Sequence, residues 1–135
     1  MHRTTQGVGF TDRVPEVDLR AILAAAQHRL AAVPAFDLTV HRPEITPEAI
    51  RWEAAPSGPP AAVRAALRDA IGSVWDTVPE PADGFGPHIT IAYSSADGPA
   101  APVRAALDTV QVEPVPVHVD RVELIVLQRD RRMYE

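Results

Sequence analysis

The sequence contains no cysteine and no lysine. The first absence excludes disulfides, a thiolate nucleophile and thiolate zinc ligation, so any metal would have to be held by histidines and carboxylates. Such a chain suits a reducing compartment, and a cytoplasmic location is expected. The second absence leaves arginine as the whole of the 13-residue basic set, so a phosphate clamp here would be planar and bidentate rather than a mobile ammonium. No apolar run approaches the ~20 residues of a membrane span, and the N-terminus lacks the charged-then-apolar pattern of a signal peptide. Nor is there an excess of basic charge, since 18 acidic residues set the formal net charge at −5. That balance argues against binding of long duplex DNA, which needs a broad field of cations to displace counterions, and leaves room for a local basic pocket.

What is present fits one modest domain, with 135 residues of which 46% are hydrophobic. The prolines fall between periodic segments rather than inside them, at positions such as Pro34, Pro43, Pro56, Pro60 and Pro87, and punctuate the chain without marking a disordered linker. Apolar residues at helical spacing predict three helices. The stripes are Leu19, Ile22, Leu23, Ala26 and Leu30; Val63, Leu67, Ala70, Ile71 and Val74; and Val103, Ala106, Leu107 and Val110. Alternation predicts strands through Phe36, Leu38 and Val40 and through Ile89, Ile91 and Tyr93, with further strands at residues 50–53, 117–119 and 122–127. On this reading Tyr93 belongs to the core face.

In chain order the first half runs extended start, helix, strand, strand, and the region from His88 onward runs strand, helix, strand, strand. This repetition of topology predicts an α+β protein of two lobes facing each other, lobe 1 about 1–56 and lobe 2 about 57–135, within a single domain. The helix around residues 60–77 has no counterpart ahead of the first unit. A strand and a helix are therefore expected to be missing before His2. That would leave an exposed N-terminal edge in a monomer, or one masked in a weak dimer.

Five histidines are present. Two of them are followed two residues later by threonine, in His2-Arg3-Thr4 and His88-Ile89-Thr90, and each tripeptide opens one copy of the repeated unit. The two-residue period of a strand places His and Thr side by side on one face, aimed at a shared cleft if a pseudo-twofold axis relates the lobes. Two imidazoles and two hydroxyls without a metal suit phosphoryl transfer by general acid and base. A neutral imidazole, whose ordinary pKa is ~6.5, takes a proton from the attacking oxygen while a protonated one gives a proton to the leaving oxygen. The threonines then donate hydrogen bonds to non-bridging phosphate oxygens. His28, His41 and His118 read as structural or solvated, His28 at a helix C-terminus and the other two on a polar strand face.

The paired His-x-Thr tripeptides, the following Gln6-Gly7-Val8-Gly9-Phe10, the segment from Pro87 to Ser94 and the ending from Arg121 to Tyr134 resemble the 2H phosphoesterase superfamily, close to its 2′-5′ RNA ligase-like branch. The resemblance implies a bilobal fold with two antiparallel sheets around a central groove, helices outside. It also implies hydrolysis of 2′,3′-cyclic phosphates to 2′-phosphates or reversible 2′-5′ joining of RNA ends. It places His2 and His88 as the acid-base pair and Thr4 and Thr90 as phosphate holders, with no metal and no cofactor. The partner expected is an RNA end or a small cyclic nucleotide, with no membrane involved. Phe10 and Phe85 are candidates for stacking on a base, and Arg132 and Tyr134 for further substrate contacts. The alternatives are a small cyclic nucleotide as the substrate, or a catalytically impaired RNA- or nucleotide-binding module of the same fold.

Overall fold

The computed structural model describes residues 5–128 together with 133–134, the backbone alone being described for 127, 128, 133 and 134. The three periodic stretches form helices α1 (Glu16–Leu30), α2 (Gly58–Gly72) and α3 (Ala101–Asp108). Acidic Glu16 and Asp18 lie in the first turn of α1 and basic His28 and Arg29 in its last, each sign matching the helix dipole. Helix α2 begins with Pro59 and Pro60 in its first turn, where the missing amide hydrogens would have had no helical partner. The strands are β1 (Phe36–Ile45), β2 (Ala49–Ala55), β3 (His88–Tyr93) and β4 (Val115–Val119), followed by the two-residue β5 (Leu127–Gln128) and β6 (Met133–Tyr134).

The first four strands make one curled antiparallel sheet in the order β3-β2-β1-β4. The β1–β2 hairpin is central, and the later half of the chain adds β3 to one edge and β4 to the other. Two irregularities shape it. His41 and Arg42 together oppose Glu53 in the β1–β2 ladder, and Ile91 is left out of register between the Arg51–Thr90 and Ile50–Ala92 pairs. Bulges of this kind bend a strand and increase its twist, which curls the sheet. The core is small and lies between the helices and one sheet face: Ile22 and Ala26 of α1, Val63, Ala70 and Ile71 of α2, Leu38 of β1 and Ala54 of β2. Trp75 donates its indole N–H to Asp18 at 2.9 Å, tying the turn after α2 to the start of α1.

Among the described residues the strands form one four-stranded sheet and a two-stranded β5–β6 ladder. Two expectations are corrected, the strand at 122–127 and the core position of Tyr93. Residues 121–126 form no strand, and Val122, Leu124, Ile125 and Val126 are exposed, because alternation alone makes no strand where no neighbouring strand offers hydrogen bonds. Helix α3 adds nothing to the core among the described residues: none of its residues is buried, Leu107 is half-buried, and Val103 and Val110 are exposed. What holds α3 is Arg42 on β1, which donates to the carboxylate of Asp108 at 2.7 Å and the carbonyl of Leu107 at 3.3 Å. Tyr93 is 68% exposed rather than in the core, since the Ile91 bulge shifts the alternation that the sequence pattern assumed.

Candidate functional site

Register decides which side chains share a surface. His88 pairs with Glu53 and Thr90 with Arg51, so these four stand on one face of the sheet, directly opposite residues pointing the same way. Along β1 and β4 the same face continues through Thr39, Asp37 and His118. The reverse face carries Ile89, Trp52, Ala54, Leu38 and Val117, and that is the face turned toward the helices. Apolar-in and polar-out alternation along four adjacent strands thus produces a polar sheet surface with an imidazole near one edge.

His88 is the best-defined element of this surface. It is the first residue of β3, and the chain just before it is anchored because Pro87 O accepts the amide of Ala54 at 3.2 Å. Its Nδ1 lies 2.8 Å from the carbonyl oxygen of Gly86. A carbonyl only accepts, so Nδ1 carries the hydrogen and the neutral ring presents Nε2 as its basic nitrogen. Neither Nε2 of His88 nor the hydroxyl of Thr90 has a hydrogen-bond partner among the described residues, which leaves a proton acceptor and a hydroxyl donor free on one half-buried face. Arg51, opposite Thr90, places its guanidinium 3.8 Å from Glu53 and has its Nε buried without a partner among the described residues. At the far side of the face His118 and Asp37 pair at 2.7 Å, both exposed.

The remaining sequence-derived candidates fall as follows. His2 and Thr4 lie outside the described residues, as does Arg132, and Tyr134 is described only through its backbone in β6, paired with Leu127. Phe10 is exposed, with the Arg13 guanidinium 5.8 Å from its ring. Phe85 is half-buried with the Arg64 guanidinium 4.7 Å above its ring. Sequence reasoning missed Arg51 and Glu53 because the strand at residues 50–53 was judged by its apolar members alone. The signal was present in the alternation Arg51, Glu53 between Ile50, Trp52 and Ala54. It also missed Arg64, which falls with Pro60, Leu67 and Ile71 on the apolar stripe of α2, where a charge is unusual.

Among the described residues no group of three or more His, Cys, Asp or Glu side chains could hold a metal ion. No helix among them is long and apolar enough to cross a membrane. The fold is α+β, with His88 and Thr90 two apart on the edge strand β3 and Arg51 opposite Thr90. The sequence matches the family described as the 2'-5' RNA ligase superfamily over residues 2–131, nearly its full length, and the chain belongs to that family. No curated protein and no solved structure matches it.

Proposed function

We propose that this protein is a metal-independent phosphoesterase that opens 2′,3′-cyclic phosphates at RNA or oligonucleotide ends by two-histidine acid-base catalysis. The observation that carries the reading is His88: an imidazole whose Nδ1 is committed to the Gly86 carbonyl and whose Nε2, like the Thr90 hydroxyl on the same face, has no partner among the described residues. Membership of a superfamily of 2′-5′ RNA ligase type supports a nucleotide phosphate as the substrate. In the reaction one histidine takes a proton from water as its oxygen bonds to phosphorus, and the other protonates the 3′ oxygen as its bond to phosphorus breaks. His2 and Thr4 are the proposed partners of His88 and Thr90. Arg51, as the cross-strand neighbour of Thr90, adds positive charge beside the non-bridging oxygens as negative charge accumulates there.

The finer architecture belongs to the same proposal. A second sheet carrying the first motif would face the polar side of β1–β4, and the β5–β6 ladder with the uncovered run 122–126 are the described residues available to it. The test is turnover of a 2′,3′-cyclic nucleotide by the purified chain with and without EDTA across pH. Chelation should leave the rate unchanged, the pH profile should be bell-shaped, and His88→Ala should lower kcat on the order of 10²-fold or more. Loss of activity with EDTA, or full activity in His88→Ala, refutes the reading.

A further inference from the structure

Among the described residues Arg64 is the one charged residue that is buried, at 9% exposure, and it sits in the middle of α2. Its guanidinium donates from Nη1 to the carbonyl of Thr5 at 3.0 Å and from Nη2 to the carbonyl of Pro81 at 2.7 Å. It also lies 3.7 Å from the carboxylate of Glu80 and over the ring of Phe85. One turn further along α2, Arg68 donates to the carbonyls of Pro79 at 3.1 Å and Glu80 at 2.9 Å and to the Gln6 side-chain oxygen at 3.3 Å. The two segments also meet directly. Gln6 Nε2 donates to Pro79 O at 2.8 Å, and the Gly7 amide donates to the Glu80 carboxylate at 3.2 Å.

The chain positions of these partners give the contact its meaning. Thr5 immediately follows the first His-x-Thr tripeptide, and the 79–86 loop runs into the second. Phe85, under the Arg64 guanidinium, precedes Gly86, whose carbonyl orients the His88 ring. One guanidinium therefore reaches both the residue behind the first motif and the loop that orients the histidine of the second. Glu80, at the centre of the contact, holds φ at 64°, a left-handed conformation that costs a non-glycine residue energy and persists only where its surroundings enforce it. Stability alone does not call for an arginine here. A buried charge is commonly no better than an apolar residue of similar volume, and what the planar fork adds is fixed geometry.

Resting on the two-histidine reading above, we propose that Arg64 is a positioning residue for His88, acting through Phe85 and the Gly86 carbonyl while its bond to the Thr5 carbonyl ties residues 5–7 to the same loop. Arg64→Lys keeps the charge and loses the fork, and Phe85→Leu keeps the fork and removes the ring. Either should lower kcat about tenfold or more with KM changed less than threefold, because misplacement of reacting groups is felt in the chemical step. Imidazole nitrogen NMR should show the Nδ1–H form of His88 giving way to a mixture of tautomers in both variants. Hydrogen exchange should rise together at residues 5–7 and 79–86 in Arg64→Lys. Should Arg64→Lys fail to fold, Phe85→Leu carries the test alone. If His88→Ala lowers the rate while both variants retain wild-type kcat and the wild-type His88 tautomer, the positioning role is overturned and the two-histidine reading stands. If His88→Ala leaves the rate intact, that reading falls, and the catalytic role of Arg64 with it.

Discussion

A histidine becomes useful in acid-base work when one ring nitrogen is tied down, and His88 has this feature in the carbonyl of Gly86. The residues around it divide by what they can offer a phosphate. Thr90 offers a hydroxyl donor and Arg51 a cation, and the two are cross-strand neighbours. Their substitutions should separate accordingly. Thr90→Val should lower kcat by roughly 10- to 10²-fold, since a positioned donor matters most where charge develops. Arg51→Gln should raise KM severalfold with a smaller loss in kcat, because its attraction for the phosphate is felt in the bound substrate as well as in the transition state. Steady-state kinetics on a 2′,3′-cyclic nucleotide reads both, and equal losses of kcat with unchanged KM would reverse the assignment of Arg51. The Asp37–His118 pair shares the sheet face but is exposed on both sides, so its contribution to stability is at most about 1 kcal/mol.

At the scale of elements, two helices that look alike in sequence have opposite roles. Both α2 and α3 carry an apolar stripe, yet Ile71 of α2 is 1% exposed and Val103 of α3 is 42% exposed. Truncation at the first site removes packed methyl groups from between the helices and the sheet, and at the second it removes contacts with water. Ile71→Ala should therefore destabilise by about 2–5 kcal/mol, and Val103→Ala by less than about 0.5 kcal/mol. Denaturant melts of the two variants check this, and equal losses would mean that α3 packs against a face of its own in solution. The sheet shows a similar division. The two bulges that curl it also decide its surfaces, for without the step at Ile91 the side chain of Tyr93 would continue the alternation of Ile89.

For the molecule as a whole, charge limits what can bind. A net charge of −5 leaves little room for a broad cationic field, and among the described residues the proposed site offers one arginine, Arg51, beside Thr90. Such a site holds an end rather than a length of strand. Binding of a single-stranded oligonucleotide ending in a cyclic phosphate should show a log–log salt slope of about 1–2, well below that of proteins that neutralise 6–10 phosphates, and lengthening the strand should add little. Titrations from low to moderate salt measure the slope, and a value near those proteins' would demand a basic surface absent from the described residues.

The sequence by itself determined most of this protein's local elements. Helical spacing located α1, α2 and α3, and strand alternation located β1, β2, β3 and β4, because these periods reflect backbone geometry that each segment carries by itself. The spacing His88-x-Thr90 put both side chains on one face for the same reason. Tertiary structure alone decided which strand lies beside which, and so that Arg51 and Glu53 stand opposite Thr90 and His88. It decided too that α3 and residues 122–126 add nothing to the core, since burial depends on a partner surface that no local pattern encodes. The Arg64 contact is the extreme case. An arginine on an apolar stripe looks like an error of pattern until folding brings Thr5, Pro81 and Phe85 to it from segments far apart in the chain.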